Sequence, residues 1–275
     1  NGALQEIYVG QAASRPDTAQ LTAFNRFLRS LDSKQIGSGK KLWDYLAEHA
    51  PQGSLADAFY VLSERFLKRM ELEGAYYKVT ENMRWSNKDM EDISKHLYQY
   101  KNPSTRIFQE NGFRLETAEG MVFPVPDPVR LHDFFAPKVT PSMKRYLDQK
   151  LIESNEQAWN DGGIILPLDQ LAERSIFWET FNRDNPGFLL SQETADSERW
   201  LRNSLLIGSD NTPAFTYENM QVDSEYQKIW KTILEKYPGT KLAEEVKKFS
   251  DLVAAEGNKR TEKVEKYISD HLINQ

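Results

Sequence analysis

Carboxylates are the residues of this chain most able to do chemistry on their own. Glu110, Glu116, Glu119, Asp127 and Asp133 fall in one short stretch. Two carboxyl groups about 5–9 Å apart across a cleft can hydrolyse a glycosidic bond, one as acid and the other as nucleophile or base. With 41 acidic residues in 275, however, chance pairs are common, and a solvated acidic face accounts for the same stretch. Asn182, Asp184, Gly187 and Glu193 occupy positions 1, 3, 6 and 12 of a calcium-loop pattern, but Pro186 stands at position 5 and has no side-chain oxygen to offer. Gly37-Ser38-Gly39-Lys40-Lys41 is a fragment of a phosphate loop. It lacks the upstream glycine, the hydroxyl residue after lysine and a preceding apolar strand, and reads as a flexible connection between helices.

Other chemistries lose support outright. There is no cysteine, which removes disulfides, thiol catalysis and cysteine-ligated zinc. His49, His96, His132 and His271 show no i,i+4 pair and no H-E-x-x-H, so they read as surface or capping residues. No G-x-S-x-G elbow occurs. Glu153-Ser154 continues as Asn155-Glu156-Gln157, without the glycine-rich sequel of a lytic-transglycosylase signature. No catalytic, cofactor-binding or metal-binding residue is assigned, and no cofactor is expected. Net charge is −6, which argues against a dedicated nucleic-acid binder. No run approaches the roughly 18 apolar residues of a membrane span.

The elements that must position these side chains are mostly helices, about nine or ten of them. Leu55, Phe59, Leu62, Phe66 and Met70 make one apolar stripe, with Asp57, Ser63, Glu64, Lys68 and Arg69 between them. Ser54 with Asp57 is close to a capping box. Asp127-Pro128 and Thr140-Pro141 are N-caps followed by proline at the first helical position. Ser86, Asp223 and Thr261 read as caps of helices over 87–100, 224–236 and 262–272. One segment departs from the helical period. Phe113 and Leu115 alternate with charged residues, Ala118-Glu119-Gly120 turns, and Met121-Val122-Phe123 runs into Pro124 and Pro126. This predicts a single β-hairpin over about 113–125, followed by a stiff Pro-rich connector. Phe113, Leu115, Met121 and Phe123 are too apolar to stand in water, so some of them should pack on a helical layer; the 131–147 segment that follows offers Phe134, Phe135, Met143 and Leu147 as partners. The acidic turn Glu116–Glu119 is then expected either to stand beside a groove and touch a partner or simply to flank a structural plug. The expected organisation is an N-terminal helical region (1–110), the hairpin and connector (111–130) and a C-terminal helical-repeat region (131–275).

A repeat underlies that last region. Trp178, Phe181 and Pro186 match Trp230, Ile233 and Pro238, and Trp43, Leu46 and Pro51 repeat the spacing: W-x2-Φ-x4-P. Residues three apart share a helix face, and the proline stops the helix. The three tryptophans are therefore expected in the core, each in a helix ending at or before its proline. Trp159, before Asn160-Asp161-Gly162-Gly163, is the indole expected at the surface and, with Glu116 and Glu119, a candidate partner contact.

Tyr237-Pro238-Gly239-Thr240-Lys241-Leu242-Ala243 resembles the helix-end and restart signature of tetratricopeptide-type repeats, as found in bacterial envelope proteins. The resemblance covers some 20 residues per copy and departs from the regular period of ~34. It implies an irregular array of helical hairpins, mainly all-α. Asn111-Gly112-Phe113, Glu119-Gly120-Met121 and 210–215 are similar to segments of uncharacterised extracytoplasmic proteins, including lipoproteins, of Gram-positive bacteria, which implies a compartment and no activity. A removed leader or a trimmed chain accounts equally for the start at Asn1, and a lipid anchor upstream of it belongs to the same expectation. Together these readings favour a non-enzymatic extracytoplasmic scaffold or protein/peptide-interaction protein of the bacterial envelope. A cell-wall glycan hydrolase using paired carboxylates and a solute-binding or sensor module are the alternatives.

Overall fold

The computed structural model describes residues 18–273. Among the described residues helix makes up 63%, in thirteen α-helices, and the strands form only small two-stranded antiparallel sheets. The mainly all-α expectation holds, with more and shorter helices than expected. The chain forms two compact units, 1–155 and 156–275.

The first unit contains α1 (Thr18–Ser30), α2 (Ser38–His49), α3 (Ser54–Leu72), α4 (Tyr77–Glu81), α5 (Asn87–Ser94), α6 (Pro103–Glu110), β1 (Phe113–Ala118), β2 (Met121–Pro126), α7 (Pro128–Phe135) and α8 (Pro141–Asn155). Several starts follow the local code. Ser86 and Asp89 form a reciprocal capping box, Asp127 accepts from Val129 and Arg130 N–H, and Thr140 accepts from Met143 N–H. Ser54 is not the cap of α3: the N-cap position is Gly53, in a left-handed conformation. The helix after Ser86 stops at Ser94, six residues short of the expected end. Leu97 N–H bonds back to Asp92 C=O and His96 N–H to Ile93 C=O, closing the helix with His96 at φ 55°.

Gly37–Lys41 is not a flexible connection. Ser38 begins α2, and both Ser38 and Gly39 are buried. The Asn111 carbonyl lies 2.3 Å from where a Gly39 Cβ would stand. The Asn111 side chain accepts from Lys40 N–H at 2.7 Å and donates to Ile107 C=O. A free backbone donor at the start of α2 is thus satisfied by the end of α6. Gly112 (φ 85°) then passes directly under the Trp43 indole; a Cβ there would sit 2.0 Å from Nε1. Trp43 is covered on its face by the Arg130 guanidinium, 4.2 Å from the ring centre, and Arg130 also donates to the Gln109 and Glu110 carbonyls at the end of α6. One arginine therefore joins α7 to α2 and to α6.

The hairpin forms with Glu119 and Gly120 both left-handed, the two-residue turn that suits strand twist. Such a turn pairs Phe113 with Pro126, Leu115 with Pro124 and Thr117 with Val122. Odd-numbered residues of β1 thus share a face with even-numbered residues of β2. Phe113, Leu115, Val122 and Pro124 are buried, whereas Met121 is 62% exposed and Phe123 half-buried. Of the four apolar residues of which some were expected to pack, this parity selects Phe113 and Leu115. The packing partners are corrected. β1 lies against α5 and α6, and β2 against α3, with the Phe113 ring 4.5 Å from that of Tyr76. The 131–147 segment packs instead on α3, where Phe135 and Tyr146 both meet Tyr60. Asp57 of α3, buried, holds Thr140 by its backbone N–H and its hydroxyl. Burial pushes the Asp57 carboxyl up, against the pull of these two bonds.

The second unit contains β3 (Trp159–Asn160), β4 (Gly163–Ile164), α9 (Leu168–Asp184), α10 (Ser191–Ile207), β5 (Gly208–Ser209), β6 (Thr212–Pro213), α11 (Ser224–Lys236), α12 (Lys241–Ala255), α13 (Glu262–Ile268) and a π-helical turn, Ser269–Ile273. Helices α9 to α12 all touch one another. Strand is thus not confined to 113–125: β3–β4 and β5–β6 are two further short hairpins, each closed by a polar turn.

The tryptophan–proline spacing does what its physics requires. Trp43, Trp178 and Trp230 are buried, as are Leu46, Phe181 and Ile233 three residues on. Their helices end at His49, Asp184 and Lys236, each two residues before the proline. The last two copies make packed helix pairs, α9 with α10 and α11 with α12. Trp230 Nε1–H donates to Leu205 C=O at 2.8 Å. The Glu179 carboxylate of α9 accepts from Lys241 and Leu242 N–H, capping α12. The first copy is used differently: α3 packs mainly on α1, α7 and β2.

Two predictions follow from this packing. Gly112→Ala should destabilise the first unit by about 3 kcal/mol, because it combines an unfavourable φ with a collision against a buried indole; denaturant unfolding checks it. The second concerns His132, whose Nε2 lies 2.8 Å from Asp148 across α7 and α8. Desolvation pushes the Asp148 carboxyl up, but hydrogen bonds from Lys144 and His132, with the nearby positive charge, hold it below the ordinary carboxylate value of 3.8. A depressed carboxyl contributes stability above its unfolded pKa and loses it as pH falls through the folded pKa. Asp148→Asn should therefore be less stable than the parent at pH 7, and the gap should close in acid below 3.8.

Candidate interaction surface

Two aromatic side chains of the second unit stand in water without a core function. Trp200, on the outer face of α10, is 59% exposed, and Tyr217, in the loop after β6, is 71% exposed. Trp159 is half-buried beside Trp200, with ring centres 6.0 Å apart and planes tilted by 59°. Single exposed apolar residues are ordinary, but a pair of touching indoles at the surface is not.

The support under this pair is specific. The β3–β4 turn, with Asp161 and Gly162 both left-handed, lies against the β5–β6 turn. Asn211 N–H donates to Gly162 C=O, its side chain donates to Asp161 C=O, and Ile164 N–H donates to Thr212 Oγ1 at 2.8 Å. Ser209 and Thr212 share a hydroxyl bond, while Tyr226 OH anchors Thr212 C=O to α11. Tyr217 OH donates to Asp210 C=O at 2.6 Å, so its ring leans on the second turn. Each hairpin alone is too short to persist; their mutual hydrogen bonds and docking on α10 and α11 hold them. Trp159, the indole expected at the surface from its loop, is only half-exposed and its ring nitrogen is buried; Trp200 is the exposed one. Trp200 was not legible, because only the fold shows which side of α10 faces water.

The hairpin of the first unit gives its two acidic residues opposite fates. Glu119 sits at the tip, exposed. Glu116 does not project: it is buried, accepting from Arg114 Nε at 2.6 Å, while Arg114 reaches Ser154 C=O and Asn155 at the end of α8. The His96 ring nitrogen lies 3.9 Å from the same carboxylate. Burial, reinforced by the nearby Arg114 charge, holds the His96 pKa down. Tyr100 OH accepts from Leu115 N–H, and burial raises its pKa to about 12. This polar group ties β1 to α8 and to the segment after α5.

The remaining motifs serve the fold. Asn182 donates to the Thr194 carbonyl and to buried Glu198, which also accepts from Arg202 and Lys241. The calcium-like spacing thus lies at a junction of α9, α10 and α12. His49 lies 3.6 Å from Glu48, and His271 stacks on Tyr267. Among the described residues no group of three or more histidines and carboxylates is placed to hold a metal ion, and no helix is long and apolar enough to cross a membrane. No protein-family model, curated protein or solved structure matches the chain.

The geometry separates the two hairpin acids experimentally. Glu116→Lys should cost about 3 kcal/mol by leaving Arg114 facing a second buried cation. Glu119→Lys should change stability by less than ~0.5 kcal/mol, as exposed charges do. Thermal unfolding of both variants reads the difference.

Proposed function

We propose that the protein is a non-enzymatic scaffold or interaction protein of the bacterial envelope, built from irregular tetratricopeptide-like helix pairs and engaging a protein or peptide partner. The observation that carries this reading is the exposed Trp200 ring of α10 set against the half-buried Trp159 of the braced double hairpin. Aromatic anchors on a rigid support are the usual energetic centre of a protein interface. The helix-end and restart segment at 237–243, the packed pairs α9–α10 and α11–α12, and the interlocked Glu179 cap support the repeat part of the reading. The absence of cysteine suits an exported protein.

The test is binding of an arrayed set of short synthetic peptides to the purified chain and to Trp200→Ala. Saturable binding that weakens about tenfold or more in the variant, with the melting temperature unchanged, is expected for loss of a central aromatic anchor. Peptide binding that Trp200→Ala leaves unaltered, or no binding anywhere on the array, would overturn the reading.

A further inference from the structure

We infer that the outer edge of β1 is a strand-addition site for an extended peptide segment of a partner, covered here by a strap, residues 77–101, that lifts to admit it. This adds to the interaction reading a second surface, within the first unit, that shares no residue with Trp159 and Trp200. The strand pairing decides which backbone groups are spare. Phe113, Leu115 and Thr117 lie opposite Pro126, Pro124 and Val122, and the two-residue turn at Glu119-Gly120 makes these the non-bonded pairs of the ladder. Asp127 N–H, donating to Gly112 C=O at 2.9 Å, continues the bonded set, which is even-numbered in β1. The backbone N–H and C=O groups of Phe113, Leu115 and Thr117 therefore point away from β2. Among the described residues one of these groups has a hydrogen-bond partner: Leu115 N–H donates to the Tyr100 hydroxyl at 3.0 Å. That hydroxyl takes the hydrogen bond that a third strand's carbonyl would take. β2 offers no equivalent edge, since it packs on α3 and Pro124 and Pro126 have no N–H to give.

The cover is thin. Where exposure is described, Ile93 is the single buried residue of 77–101, against eleven in α3. No backbone hydrogen bond joins the strap to β1. It meets the strand through α5, through the Tyr100 hydroxyl and through His96, 3.9 Å from Glu116. Within itself the strap coheres: Trp85, Tyr98 and Tyr100 meet edge to face in a row, with ring centres 5.8 and 5.6 Å apart. A segment with internal contacts and one buried anchor opens as a unit at low cost. Opening leaves β1 as a strand edge with its alternate donors and acceptors free, the template for strand addition. An added strand would carry apolar side chains on the face of Phe113 and Leu115 and polar ones on the face of Arg114 and Glu116. Pairing with a second copy of the same edge would lift two straps for one ladder, which favours a peptide that is already extended.

Amide hydrogen exchange of the whole chain tests the cover without any variant. Leu115 N–H should exchange together with the strap, at least about tenfold faster than Glu116 N–H, which is bonded to β2. The site itself is probed with a synthetic peptide of alternating valine and threonine, with lysine at both ends, and with the same peptide methylated on every backbone nitrogen. Methylation keeps the side chains and removes the ladder donors. The plain peptide should protect the Leu115 and Thr117 amides saturably, and the methylated one should not. Tyr100→Phe removes the competing hydroxyl and should tighten binding by about fivefold or more, because the open edge is then populated more often. Trp200→Ala should leave this binding unchanged. Leu115 and Glu116 exchanging at one rate, equal affinity for the two peptides, loss of binding in Trp200→Ala, self-association in place of peptide binding, or no binding to the parent and to Tyr100→Phe would each refute strand addition. None of these bears on whether Trp200→Ala weakens binding across the peptide array, so the two readings fail separately.

Discussion

Where helices stop governs most of this structure. Proline donates no hydrogen bond and restricts the residue before it, so a helix heading for Pro51, Pro186 or Pro238 must end two residues early. The tryptophan eight residues upstream then lies within the helix, with an apolar residue three positions on, and both are buried in all three copies. Burying such a pair fixes which side of the helix faces the core. Fixed ends and fixed faces leave the following helix little choice of position. In the second unit this yields four mutually touching helices with Glu179 and Glu198 bonded across them.

The same spacing does different work in the first unit. Trp43 lies between Gly112 and Arg130, and its helix begins against Asn111 rather than against the helix that follows. The short motif Asn111-Gly112 is therefore a junction. Asparagine supplies an amide that bonds in two directions, and glycine lets the backbone pass under an indole. Arg130 completes it by stacking on that indole and capping α6. Arg260 stands over Phe215 in the second unit as Arg130 does over Trp43 in the first, and the exposure of Trp200 makes its surface a candidate for recognition.

Local code was readable wherever one or two neighbouring residues decide the outcome. Caps at Ser86, Asp127, Thr140 and Asp223, the prolines after helices, and the Glu119-Gly120 turn all belong to this class. Reading failed where the deciding partner is distant. Gly37–Lys41 looked flexible because its composition is polar and small, but Asn111 orders it from across the first unit. Glu116 looked like a surface acid because its neighbours in sequence are polar; Arg114, itself held by the end of α8, draws it inside. The two short hairpins of the second unit carry too few residues to announce strands, and each exists because the other supplies hydrogen bonds.

The amino-acid sequence by itself determined the helical class, the ends of the main helices, the burial of Trp43, Trp178 and Trp230, and the presence of a hairpin near 113–125, because each depends on backbone chemistry and periodicity within a few residues. Only the tertiary structure decided which strand face enters the core, where Glu116 goes, and which indole meets water. Those outcomes depend on which face of the hairpin meets α3, on an arginine of the same strand that the end of α8 holds in place, and on which flank of α10 its neighbours leave uncovered. Each involves a segment distant in the chain, and it acquires an energy only when folding brings that segment in.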